Sequence, residues 1–185
     1  MVRRLEDSSV DSLECQCEPR FRSACYGSAD YEYKDKRYCI LHLPSEDKED
    51  GFKEALKNKL VQNDFNFQGA FFPGDTSEFR DYKFDADVVF TSATFRGGAN
   101  FSEAKFGGEL TSFVEAKFSG TWTDFSFAEF SAAKTDFSDA KFSSAETDFS
   151  DAKFSSAETD FSDAIFKEKV VFLGEEENTV FGAQS

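Results

Sequence analysis

One histidine, one methionine, one tryptophan and three prolines are spread over 185 residues. No apolar run approaches about 18 residues, the length a membrane-spanning helix needs. The lack of histidine bears on catalysis, because any Ser-His or Cys-His nucleophile pair would have to be built from His42 alone. Neither a phosphate-binding loop nor a dinucleotide fingerprint occurs, and the chain is not expected to be an enzyme. Residues 1–13 hold Arg3 and Arg4, then Glu6, Asp7 and Asp11, with no apolar stretch of the kind a secretion signal requires. The expected location is the cytoplasm. Basic residues are also few, 21 against 36 acidic, giving a net charge of -15. The first 60 residues carry 11 basic and 13 acidic side chains and the remainder 10 and 23, so the deficit sits in the second part. Such a surface repels phosphates and anionic lipid headgroups. Direct nucleic-acid binding and membrane association are therefore not expected, and the partner to look for is a protein with a basic surface.

What the chain has in excess is phenylalanine, 25 of its 31 aromatic residues. Eighteen of them, Phe67 to Phe166, fall in nine doublets of the form Phe-x-x-Ala-x-Phe, spaced by six or seven residues. A repeat this regular requires each unit to occupy the same environment as its neighbours, stacked into one column. The unit DFSDAKFSSAET occurs twice in tandem, at 136–147 and 148–159. Alanine follows the first Phe of most doublets by three residues, as in Ala116 and Ala140, and later units repeat it after the second Phe, as Ala133, Ala145 and Ala157. Large and small side chains are thus expected to alternate around the interior.

Four segments follow from this pattern: a flexible N-terminus at 1–14, a Cys/His module plus helix at 15–62, the repeats at 63–173 and a C-terminal cap at 174–185. The helix is placed after Pro44, with Ser45 as N-cap, Glu46 and Asp47 in the first turn, and Phe52, Ala55, Leu56 and Leu60 on one face. A short helix with one apolar stripe needs a surface to cover, and the open first coil of a repeat stack is such a surface. At the other end Val180 and Phe181 supply apolar residues for a cap.

Phe137-Ser138-Asp139-Ala140-Lys141-Phe142 resembles two steps of a pentapeptide repeat protein, and the similarity runs over about residues 64–172. The resemblance implies an all-β fold, a right-handed quadrilateral β-helix with one five-residue step per side; periodicity alone also allows a triangular tube. This chain departs from the strict period by one or two extra residues after every second step. Two doublets then make a coil of 22 to 24 residues, bulged at two corners, with Gly97-Gly98 and Gly107-Gly108 in spacers where positive φ is useful. On that reading Phe113, Phe137 and Phe161 form one column and Phe118, Phe142 and Phe166 another, with Phe125, Phe130, Phe149 and Phe154 completing the core. Several members of the family dimerise through the C-terminal end, which implies a two-fold homodimer.

The cysteines, Cys15, Cys17, Cys25 and Cys39, all precede residue 40 and, with Cys39-x-x-His42, form the one constellation with metal-ligand chemistry. Five candidates compete for four places. The set taken is Cys17, Cys25, Cys39 and His42, with Cys15 as alternative ligand, holding one structural zinc ion that staples a segment too short for its own core. Free buried thiols and disulfides remain the other readings. Cys39-Ile40-Leu41-His42 is similar to a Cys-Ile-x-His segment found in leaders of the same family.

Acidic residues recur every twelve positions: Asp124, Asp136, Asp148 and Asp160, and also Asp139, Asp151 and Asp163. The first account is a solvated face of a rigid acidic scaffold that binds protein. The alternative comes from the resemblance: gyrase-protecting members are DNA mimics that occupy a type II topoisomerase. Thr111, Thr123, Thr135, Thr147 and Thr159 form a further column, similar in spacing to the threonine face of β-helical ice-binding proteins.

Overall fold

The computed structural model describes residues 2–5 and 14–172. The expected C-terminal cap with Val180 and Phe181, and residues 6–13 of the N-terminal stretch, lie outside the described residues. From Phe65 onward the chain winds into a four-sided tube whose walls are parallel sheets of two- and three-residue strands. The first wall holds Val88–Val89, Leu110–Ser112, Lys134–Asp136 and Glu158–Asp160. The second holds Phe71–Phe72, Thr94–Phe95, Lys117–Phe118, Lys141–Phe142 and Ile165–Phe166. Ala99–Asn100, Trp122–Asp124, Glu146–Asp148 and Lys169–Val171 make the third, and Lys83–Phe84, Lys105–Phe106, Glu129–Phe130 and Lys153–Phe154 the fourth. Four sheets exclude the triangular alternative. Register is set by identical residues lying over one another, as in Thr111↔Thr135↔Thr159 and Phe118↔Phe142↔Phe166.

The interior is four columns of phenyl rings. Phe90, Phe113, Phe137 and Phe161 stack on Phe67, and Phe95, Phe118, Phe142 and Phe166 on Phe72. Phe79, Phe101, Phe125, Phe149 and Phe172 form the third column, and Phe84, Phe106, Phe130 and Phe154 the fourth. From Phe101 to Phe166 the vertical neighbours lie 4.6–4.9 Å apart with planes within 5°. That separation is the strand spacing of a sheet, about 4.8 Å, so backbone and rings repeat in step. Rings of adjacent columns meet edge to face, as Phe113 does with Phe125 at 5.5 Å.

Each doublet turns a corner by the same device. The carbonyl of the first Phe accepts from the N–H of the Ala three residues on, as from Ala140 to Phe137 at 3.1 Å. The residue between, two after the Phe, is left-handed in all nine doublets, from Gly69 and Asp81 to Asp163. This is the geometry of a type II turn. The Asp before the Phe closes the loop: Asp136 Oδ1 accepts from Ser138 N–H at 2.9 Å, and Asp124, Asp148 and Asp160 do the same for Ser126, Ser150 and Ser162. Both acidic series therefore have a structural reason, the first capping the turn through its side chain and Asp139, Asp151 and Asp163 tolerating positive φ.

Two expectations about the spacers are corrected. Ala133, Ala145 and Ala157 are exposed, and the inward positions are the residues before them: Ala132 and Ser144, both buried, and the half-buried Ser156. The extra spacer residue shifts the two-residue alternation by one. Thr111, Thr123, Thr135 and Thr147 are also buried, so no outer threonine face exists on these coils. Thr123 shares a hydrogen bond with Ser144 at 2.8 Å and Thr135 with Ser156 at 2.7 Å. Of the spacer glycines, Gly108 alone has positive φ, at 91°. Gly97 is needed for room, since a Cβ there would strike the backbone of Gly74 one coil below.

The N-terminal end is covered by α1 (Glu49–Val61), whose Phe52, Ala55, Leu56 and Leu60 are buried as the stripe implied. Phe52 meets the Phe72 ring edge-on at 5.1 Å. The helix begins later than expected. Ser45 Oγ accepts from Asp47 N–H at 3.2 Å and so caps a 3-10 turn, Glu46–Lys48, that precedes α1. Two lysines are buried beside the stripe: Lys59, whose Nζ is paired with Asp64 at 2.5 Å, and Lys48. Labelling in chain order, β1 (Arg3–Arg4), β2 (Tyr31–Tyr33) and β3 (Lys36–Tyr38) form a small antiparallel sheet. Arg3 and Arg4, assigned to a flexible stretch, are thus paired with Glu32 and Tyr31.

Candidate metal centre

Three short segments bring the cysteines together. Cys15 precedes the 3-10 turn Pro19–Ala24, Cys25 caps that turn, and Cys39 follows β3 and opens a turn in which its carbonyl accepts from both His42 N–H and Leu43 N–H. Cys-x-x-His on one tight turn places thiol and imidazole on the same side. His42 Nδ1 lies 3.2 Å from Cys39 Sγ, 3.4 Å from Cys25 Sγ and 3.9 Å from Cys15 Sγ. All four ligand atoms fall within 4.8 Å of one another, and Cys15, Cys39 and His42 are buried.

Tetrahedral zinc with bonds of about 2.3 Å to sulfur and about 2.0 Å to nitrogen sets sulfur–nitrogen separations near 3.6 Å. The three observed distances bracket that value. The imidazole is also oriented as a ligand should be. Nε2 lies 2.9 Å from the Gln68 carbonyl, which can only accept, so Nε2 carries a hydrogen and Nδ1 is the nitrogen turned to the sulfurs. Donor set, spacing and orientation fit a closed structural site.

The expected quartet is corrected at one position. Cys15, the alternative, belongs to the cluster; Cys17 lies beside it, its Sγ 3.7 Å from that of Cys25. The Cys39 N–H donates to Cys15 Sγ at 3.2 Å and fixes it there, a contact between residues 24 apart that spacing does not reveal. All four thiols are free of disulfides. Hydrogen bonding from the Cys15 thiol, with the imidazole adding to it, holds the Cys39 thiol down at about 3. Burial foremost pushes Cys25 up to about 12, and the hydrogen bond to Cys39 together with burial raises Cys15. One thiolate is thus favoured in the cluster, and the other two sulfurs keep their protons until a cation displaces them.

Sequence reasoning missed Lys48. Its Nζ donates to the carbonyls of Ile40 at 2.7 Å and Leu41 at 2.9 Å, the two residues inside the Cys39–His42 turn, and lies over the Phe52 ring at 4.6 Å. Burial pushes its amine well below the ordinary lysine range. One side chain thereby ties the ligand turn to the covering helix. The sequence signal was available, a lysine in the first turn beside an apolar stripe, but it reads equally as a solvated charge.

The module grips the tube at several points. Leu41 carbonyl accepts from Phe71 N–H at 2.9 Å, and the Phe21 ring stacks on His42 while lying against Gly69, where a Cβ would collide with it. Arg20 reaches Glu115 at 3.1 Å. Comparison with known protein families, curated proteins and solved structures finds no match to this chain.

Proposed function

We propose that the protein is a non-catalytic, cytoplasmic pentapeptide-repeat scaffold whose acidic walls bind a protein partner, and whose N-terminal module is held by one structural zinc ion on Cys15, Cys25, Cys39 and His42. The observation that supports it is the division of labour within the coils: rings fill the inside, while carboxylates occupy six of the nine left-handed corners on the outside. Free thiols suit a reducing compartment. The test of the walls replaces Asp139, Asp151 and Asp163 with Asn, which tolerates positive φ equally and removes the charge. Capture of a basic protein by the immobilised chain should be lost in the triple variant and in high salt; capture that ignores both would refute the reading. Zinc near one equivalent is expected in protein purified without chelator, and none would remove the metal assignment.

A second reading, a DNA mimic acting on a type II topoisomerase, draws on Asp124 over Asp148 and Asp136 over Asp160, carboxylate columns in register on two walls. Purified gyrase should then be inhibited or protected at micromolar protein, and an unchanged supercoiling rate dismisses it. A homodimer through the C-terminal end draws on the half-buried Phe154, Phe161 and Phe166 of the last coil. Light scattering that finds a monomer at high concentration removes it.

A further inference from the structure

We propose that Phe127 anchors a docking surface for an arginine-rich segment of a protein partner. Nine equivalent corner positions have positive φ, and eight of them carry glycine, serine, aspartate or glutamate, residues suited to water or to a left-handed backbone. The ninth is Phe127, at φ 57° with 58% of its surface exposed. A bulky side chain in that conformation is an outlier. The local structure does not call for it, since Asp151 one coil on and Glu103 one coil back make the same turn.

Those two neighbours supply the charge. Phe125 stacks between Phe101 and Phe149, which places Phe127 in one corner column between Glu103 and Asp151, each about 4.8 Å along the axis. Glu103 is bridged by Arg80 at 3.2 Å; among the described residues no cation pairs with Asp151. Two residues on, Glu129 is bridged by Lys105 and Lys153, so the available carboxylate lies at the corner itself. A phenyl face beside a carboxylate suits guanidinium, whose plane lies on the ring while its fork takes the acid; a lysine ammonium meets one or the other.

The chain uses this pairing on itself. At the opposite corner Arg20 lies 4.7 Å from the Phe21 ring centroid and bonds Glu115, itself a left-handed corner residue, at 3.1 Å. Ring, arginine and corner carboxylate there join the N-terminal module to the tube. Phe127 and Asp151 offer ring and carboxylate without the arginine.

This inference rests on the walls being a protein-binding surface. The test measures binding of fluorescein-labelled octa-arginine and octa-lysine peptides to the full chain and to Phe127→Asp, Phe127→Ser and Phe127→Tyr. Phe127→Asp adds a negative charge, so charge alone predicts tighter binding, whereas an anchoring ring predicts arginine-peptide affinity about five-fold weaker. Phe127→Tyr should match the parent, and the preference for arginine over lysine should vanish in the Asp and Ser variants. Both should fold, because aspartate and serine occupy equivalent left-handed corner positions at Asp151 and Ser92. Equal or tighter binding by Phe127→Asp overturns the anchor and leaves the acidic scaffold standing. Failure of every form to bind either peptide at low salt removes both.

Discussion

At the scale of the residue, Thr111 shows what the repeat demands. Its hydroxyl is buried without a hydrogen-bond partner, whereas Thr123 and Thr135 each find a serine 21 residues on. The residue 21 beyond Thr111 is Ala132, buried where its counterpart Ser144 is buried. Ala132→Ser should supply the missing partner and raise stability by about 1 kcal/mol, read from urea unfolding. On the proposed zinc site, Cys15→Ser should abolish stoichiometric zinc, while Cys17→Ser, outside the cluster of four, should retain it, as metal analysis would show. The inward phenylalanines were legible because one residue type recurs at one spacing. The inward serines were not, because a single inserted residue reverses which side chains face the core, and Ala145 and Ser144 are adjacent in sequence. Nor was the choice of Cys15 over Cys17, which depends on a hydrogen bond from the Cys39 amide.

Among the elements, α1 was readable in its apolar stripe, whereas neither the left-handed corners inside the doublets nor the hairpin β2–β3 was. Its two turn residues, Lys34 and Asp35, have φ of 49° and 61°, a type I′ conformation usually marked by Asn-Gly or Gly. The cysteines packed against the Cys39–His42 turn carry the pH dependence of this region. Cys25 at about 12, and Cys15 raised as well, are protonated at neutral pH, so a cation must expel both protons. Metal affinity should therefore rise with pH and fall as acid restores those protons. Calorimetry in buffers of differing ionisation enthalpy should find about two protons released per ion, and a pH-independent affinity would contradict the assigned ligands. Lys48→Met takes the side-chain donor from the Ile40 carbonyl and leaves the Leu41 carbonyl with Phe71 N–H alone, and should cost about 2 kcal/mol by denaturant unfolding.

For the whole molecule, stability is distributed along the axis, since each coil touches chiefly the coils above and below it. Chelation should accordingly loosen the module and the first coil, joined to it through Gln68, Gly69 and Phe71, and leave the middle coils intact. Hydrogen exchange should speed up over 14–48 while the amides of 113–142 stay protected; uniform loss of protection would mean that the tube depends on the metal. The general form of the tube was readable because every coil repeats the same instruction, whereas the module depends on contacts made once. The tandem unit at 136–147 and 148–159 spans half a coil, two walls and two corners, so each copy is a half-turn screw operation. A gene that gains or loses one such copy lengthens or shortens the rod by about 2.4 Å. It also swings everything beyond to the opposite side, giving slippage between short DNA repeats a direct means of re-aiming one end of the molecule relative to the other.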